Sequence, residues 1–520
     1  MRCRQADAAD PTGARRIGIR GCRSSPARES CCHRTLSLFE NGTANWNTFY
    51  SVPMRTSGIG QSEAFGRRRG WRARVSALAL SVATTCAALV VLATPAPAIP
   101  NTTDAFYQPP AGYESTAPGT ILRTRPITPV ALQLIPMRVR AWQLLYRTTD
   151  SHGNPYAAVT TVLMGEHGRA PTAILSYDSM IDAIAPNCMP SQVLRTGAPW
   201  FDFSGAGGPI TLSTTASEVP MIAAGLNQGW AVSVPDLGGV DNHFLTPREP
   251  GYVAIDGVRA AQNFAELGLA ADAPAMFWGY SGGGIATAWA AQVQPDYAPD
   301  MYVAGMAVGA PVVDLRAGLR NGNGTPVAGL PPVGIAALQQ DSPEFAAMMN
   351  RLLTPEGKQR LAGAAASCTP QNLVSFPFLD FGTLLTVPME DVLNAPLTQR
   401  LIDERTLGAT APTAPVYVYN AVDDELSTIA SSDGLVDSYC AAGTSVTYRR
   451  DLVPSAVSPH AFEWGLGAPA AFAWLTDRAA GLPVAGCDIQ TVTSPTTPAA
   501  MNSFGADFVG GMLAAILGHR

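Results

Sequence analysis

Charge is scarce in this chain. Asp, Glu, Lys and Arg make up 14% of its 520 residues, against 47% hydrophobic ones. That balance excludes a disordered polyelectrolyte and suits a well-buried core, in one large domain or two to three ordinary ones. Metal-ligand spacing is lacking as well. After residue 98 there is no C-x-x-C and no His/Cys metal-ligand spacing, so neither a metal nor a cofactor is expected. No internal repeat and no coiled-coil heptad pattern is present, which sets aside solenoids and long coiled coils.

The few charges are unevenly placed. Residues 1–98 hold 14 of the 34 basic residues, 5 of the 40 acidic ones and five of the nine cysteines. The remaining 20 basic and 35 acidic residues give 99–520 a net charge near −15. Such a body repels nucleic acid, so no nucleic-acid partner is expected. Within the leading segment, "RRRGWRAR" (67–74) precedes an uncharged apolar run at 75–92, followed by "ATPAPAIP" with Ala96-Pro97-Ala98 as a cleavage site. These are the three regions of a secretory signal peptide. The reading is cleavage near Ala98, with retention as an anchor the alternative, since 18 apolar residues are marginally enough to span a bilayer. A signal peptide begins close to its initiating methionine. Met54 is therefore the expected start, with 1–53 an unstructured upstream extension and 54–98 the signal peptide. Four cysteines follow: Cys188, Cys368, Cys440 and Cys487. An even count in an exported chain points to two disulfides, for which three connectivities exist.

Hydrophobic periodicity organises the rest. Residues 157–180 read as two strands broken by a polar turn, 218–239 as a helix and a strand, 254–267 as a helix, and "APAMFWGY" as another buried strand. Strands alternating with helices argue for right-handed crossovers and a mostly parallel sheet, an α/β fold. Residues 99–311 form its first part. The pattern changes over 312–410, where helical stretches alternate with Pro- and Gly-rich loops and no strand is evident; this is expected to be a helical insertion. Strands resume at "APVYVYN" (414–420) and "SVTYRRDL" (445–452), and a closing helix follows at 468–481, so 411–487 is the second part. The tail, 488–520, is Ser/Thr/Pro-rich and then forms a short apolar helix, expected to pack on the body with lipid-interface contact left open.

One stretch carries chemistry. "APAMFWGYSGGGIATAWAAQ" (274–293) sets Ser281 between Gly279 and Gly283, after a strand and before a helix. G-x-S-x-G alone arises by chance in a glycine-rich chain. Between a strand and a helix it is the pattern of a nucleophile elbow, where small flanking residues tolerate a tight, strained turn. A serine of ordinary pKa needs a base, and the elbow fold supplies acid and histidine later in the chain. Of the six histidines only His460 and His519 follow Ser281. His519 is penultimate. His460 lies in "PSAVSPHAFEWG", read as a loop between a strand and the closing helix. The acid should follow the strand at 416, where "YNAVDDELST" offers Asp423, Asp424 and Glu425. The pattern by itself does not choose among them.

With these motifs in order, "SYDSMIDAIAPNC", "VPDLGG", "GYSGGG", "AVDDEL" and "PHAFEWG", the chain resembles the secretory lipase family of α/β-hydrolases over about 107–487. The resemblance implies an α/β-hydrolase fold with a helical cap. It selects Asp424 as the acid. It implies an oxyanion hole made by the backbone amides of Gly282 and Asp182, with Asp178 in the same segment as the competing position. It also implies the pairings Cys188 with Cys368 and Cys440 with Cys487. The chain departs from many other lipases in lacking an H-G-G-G oxyanion motif. The expectation is a secreted serine carboxylic-ester hydrolase of triacylglycerol-lipase type, acting on lipid or other acyl esters with no obligate protein partner evident. Its alternatives are an acyltransferase using an alcohol or envelope-sugar acceptor, a peptidase on the same machinery, and a non-catalytic envelope-binding protein on the same scaffold.

Overall fold

The computed structural model of the chain describes residues 104–166, 169–195, 200–201, 210–455, 457–493 and 497–518. The readings of 1–53 and 54–98, and His519, lie outside these residues.

Twelve strands run in chain order as β1 (Ile121–Ile127), β2 (Val130–Ala131), β3 (Ile135–Pro136), β4 (Val139–Thr149), β5 (Pro155–Gly165), β6 (Ile174–Asp178), β7 (Ala231–Pro235), β8 (Ala275–Tyr280), β9 (Val303–Gly309), β10 (Val416–Ala421), β11 (Val446–Asp451) and β12 (Cys487–Val492). Ten of them form one sheet in the order β1-β4-β5-β7-β6-β8-β9-β10-β11-β12, and β2 pairs only with β3. From β7 to β12 every pairing is parallel; β1, β4 and β5 join antiparallel at one edge. The central strands are buried on both faces, so β6, β8 and β10 are buried at every position and show no apolar–polar alternation. Two strand regions escaped the sequence reading. The β1–β4 segment alternates poorly because its edge strand is half exposed, and β12, expected as loose tail, pairs in register with β11 through mostly exposed residues.

Helices cover both faces: α1 (Val219–Asn227), α2 (Glu249–Gln262) and α3 (Gly282–Tyr297) precede β9. Between β9 and β10 the chain builds α4 (Leu315–Gly322), α5 (Leu330–Asp341), α6 (Pro343–Leu352), α7 (Pro355–Ala365), α8 (Thr369–Ser375), α9 (Met389–Leu393) and α10 (Pro396–Asp403). This stretch has its own apolar cluster around Phe345, Met349, Leu361, Phe381 and Leu384. Met349 is fully buried there; cutting such a side chain to alanine typically costs about 2–5 kcal/mol. Proline at the first turns of α5 to α8 and of α10 supplies the helix starts seen as proline-rich loops. α11 (Ile429–Ala441) and α12 (Pro459–Ala479) follow β10 and β11.

The tail helix begins earlier than expected, as α13 (Pro498–Ser503), a π-helical turn (Phe504–Val509) and α14 (Gly510–Leu517). By length and composition the run Pro498–Leu517 could cross a membrane. Its inner face is nevertheless taken: Phe508 packs against Trp278 and Phe472, and Gly511 lies on the α1 backbone at Ala223. Disulfides join Cys188 to Cys368 and Cys440 to Cys487. The first ties the segment after β6 to α8; the second ties α11 to β12.

Candidate active site

The carboxyl ends of the central strands converge. Ser281 follows β8 directly and precedes α3, with φ 53° and ψ −120°, a strained left-handed conformation for a residue with a side chain. The surroundings over-determine it. A Cβ at Gly279 would collide with the Gly283 carbonyl, and one at Gly283 with the Asp178 carbonyl, so glycine at both positions lets β8, α3 and the end of β6 close on the serine. Ser281 N donates to Gly309 O at 2.9 Å, pinning the turn to β9.

His460 Nε2 lies 2.8 Å from Ser281 Oγ. Its Nδ1 lies 2.8 and 3.0 Å from the two oxygens of Asp424. Asp424 Oδ1 also accepts from the backbone amides of Leu426 (2.9 Å) and Ser427 (2.7 Å), which hold the carboxylate after β10. All three side chains are buried. His460 is not in a loop ahead of the closing helix, as expected from sequence. It is the second residue of α12, which starts at Pro459 because Ser458 caps it by accepting from Ala461 N. Burial pulls the imidazole pKa down, but the charges of Asp424, Glu425 and Asp182 outweigh that and raise it above the ordinary histidine value.

The three adjacent acids are sorted by geometry. Asp424 meets the ring, Asp423 is exposed, and Glu425 accepts from Ser458 Oγ and from His460 N (3.2 Å), fixing the helix start. Tyr280 was not foreseen: its hydroxyl donates to His460 O at 2.6 Å. A second unforeseen group is a facing pair, Asp451 at the end of β11 and Glu463 one turn after His460. The i, i+3 spacing of His460 and Glu463 was the only sequence signal for it.

Asp182 has φ 41°, and its carboxylate lies against Gly282 where a Cβ would stand. Burial pushes that carboxyl up to about 6, with His460 acting against it. Asp178 is differently used. It ends β6, and its buried oxygens accept from Ser176 and Thr287, each at 2.7 Å. Thr369 Oγ1 in α8 donates to the carbonyls of Ile181 (2.6 Å) and Asp182 (2.9 Å), holding the Asp182 turn beside Cys188–Cys368.

Above the serine is a small apolar cavity, lined by Ser281, Gly282, Leu245, Ile285 and residues of α4 and α5 such as Leu319 and Pro331. Leu319 and Pro331 also line a further small apolar cavity inside the helical insertion. A nucleophile–base–carboxylate chain, adjacent backbone amides and an aliphatic channel together permit acyl transfer from an ester with a hydrocarbon acyl part.

Comparison with known proteins bears on the family and the fold. The family model described as Secretory lipase matches residues 206–486. A Mycobacterium tuberculosis protein named a probable inactive lipase is 42% identical over 395 residues, covering 76% of this chain and 85% of that one. Lipase A of Arthroderma benhamiae is 35% identical over 400 residues, covering 76% of this chain and 83% of its own length. Among solved structures, Candida antarctica lipase A superposes with a TM-score of 0.68 at 24% identity, covering 80% of this chain and 95% of that one. The likeness and the large, mostly parallel sheet between helices identify the α/β-hydrolase fold.

Proposed function

Because the chain belongs to the secretory lipase family, we propose that it is a serine carboxylic-ester hydrolase of triacylglycerol-lipase type, exported and working through an acyl-enzyme. The observation that carries this reading is the unbroken hydrogen-bond chain from Ser281 through His460 to Asp424. His460 Nε2 takes the proton of Ser281 as Oγ attacks the ester carbonyl. Asp424 keeps the proton on Nδ1 and stabilises the imidazolium that forms. The amides of Gly282 and Asp182 donate to the developing oxyanion, each worth about 3 kcal/mol in the transition state. His460 then gives its proton to the departing alcohol. Water, deprotonated by the same imidazole, releases the acid and restores the serine.

The acyl chain is assigned to the aliphatic channel above Ser281, and residues 312–410 to a cap over it. Export through the 54–98 signal, with cleavage near Ala98, accords with two disulfides, which persist in oxidising compartments. One relative carries a name that denotes inactivity; here the three side chains stand within hydrogen-bond reach, which favours catalysis over a binding-only role. Hydrolysis of p-nitrophenyl esters of increasing acyl length by the native chain and by Ser281→Ala tests the reading. All turnover should vanish in the variant, and turnover surviving the substitution overturns the mechanism. Adding an alcohol acceptor and analysing products separates hydrolysis, which yields free acid, from acyl transfer.

A further inference from the structure

A second, smaller cavity adjoins the site. It shares Asp182, Phe244, Leu245, Gly282 and Ile285 with the cavity at Ser281, so the two spaces meet beside the amides assigned to the carbonyl oxygen. The first continues through Leu319 and Pro331 into the aliphatic interior of the cap, where only methylenes fit well. The second differs in carrying polar side chains, His243 together with Ser179 and Thr246.

That imidazole is built in. Its Nδ1 lies 2.8 Å from Glu249 Oε1, and the Glu249 side chain is 1% exposed. The other Glu249 oxygen accepts from Ser151 N at 3.1 Å. The ring stacks on Tyr156 at 5.6 Å and 7°, and the Tyr156 hydroxyl donates to Gly238 O at 3.1 Å. The backbone carrying it is strained: Asn242, Leu245 and Arg248 have φ of 56°, 58° and 65°. Left-handed non-glycine residues are strained and persist where surrounding structure holds them. At Gly238 a Cβ would strike the His243 carbonyl, so the turn leaving β7 closes only with glycine there.

With Nδ1 engaged by Glu249, Nε2 is the ring's free valence. Paired with a carboxylate, the ring presents little net charge. Its Nε2 donates when the ring is protonated and accepts when it is neutral, and a hydroxyl group satisfies both states where a carbonyl or an anion satisfies one. We propose that this second cavity takes the alcohol half of the ester and that His243 Nε2 hydrogen-bonds a free hydroxyl on it, so that esters of polyhydroxy alcohols are preferred over esters of plain alkanols. This rests on the hydrolase reading above and deepens it by naming the alcohol class. The acyl and alcohol substituents leave the attacked carbon in different directions, and two cavities diverging from one carbonyl position match that requirement.

The test is kcat/KM for a glycerol monoester and for the butyl ester of the same short acid, in the native chain, His243→Phe and His243→Gln. In His243→Phe the ratio of glycerol ester to butyl ester should fall about tenfold, the loss expected for one hydrogen bond to a neutral group, and chiefly through KM. His243→Gln, which can still donate and accept, should retain most of the ratio. On the native chain alone, glycerol should compete with substrate at lower concentration than 1-propanol. An unchanged ratio in His243→Phe, or equal inhibition by the two alcohols, overturns the inference and leaves the hydrolase reading standing. Turnover of neither ester by the native chain overturns both.

Discussion

Glu463→Gln should make the protein more resistant to alkaline unfolding. Glu463 and Asp451 are almost wholly buried and act electrostatically on each other, and none of their four carboxyl oxygens meets a donor from another described residue. Two carboxylates cannot both ionise in that space. Burial, with the charges of Asp451 and Asp424 adding to it, pushes Glu463 far above the ordinary carboxyl range, and burial raises Asp451 as well. The folded pair therefore keeps a proton that the unfolded chain loses above a pH of about 4.3. A raised folded pKa contributes stability that is full below the unfolded value and is lost as pH climbs toward the folded one. Linkage sets the slope at about 1.4 kcal/mol per pH unit for one proton, so from pH 6 to pH 8 the native chain should lose about 3 kcal/mol through this pair. Glutamine has no proton to lose, and its amide can donate to Asp451. Asp178, Glu218 and Asp236, raised by burial to about 7, are unchanged in both proteins and cancel in the difference. Guanidinium unfolding at half-unit steps from pH 5 to pH 9 would measure it. The variant's stability should gain on the native chain steadily across this range. Parallel curves would refute the shared proton.

Asp424→Asn should leave the fold intact and lower kcat for ester hydrolysis by roughly 10³–10⁴, because an amide no longer holds the proton on Nδ1; a loss below tenfold would remove Asp424 from the mechanism. Cys188→Ser combined with Cys368→Ser opens a link across a sequence separation of 180 residues. The cost should be about 3–5 kcal/mol, visible as a melting temperature lowered by several degrees and, since this bridge sits beside the Asp182 turn, as a lower kcat. An unaltered melting curve would show the bridge to be dispensable.

The buried parallel strands were legible because each is short and dominated by apolar residues without alternation, and Ser281 because an elbow restricts its neighbours to glycine at 279 and 283. The edge strands β1 and β12 were not. Their residues are half or mostly exposed, and their pairing comes from partners distant in sequence. His460 was singled out from sequence but read into a loop; Pro459 is a first-turn residue behind the Ser458 cap, so the histidine stands on the closing helix. Among Asp423, Asp424 and Glu425 the local sequence held no preference. Only the direction of the turn after β10 aims one carboxylate at the ring and another at the backbone of His460.

Local chemistry thus determined what could be read one segment at a time: the α/β alternation, the elbow, the helical character of 312–410 and the even number of cysteines after the apolar leader. Tertiary structure decided everything that depends on two distant segments meeting. It brought together Ser281 and His460, 179 residues apart, the carboxyl pair Asp451 and Glu463, and the His243–Glu249 couple beside a second cavity. The reason is physical: propensity and periodicity act over a few residues, whereas a buried hydrogen bond or a shared proton exists only once packing has removed water from between its partners.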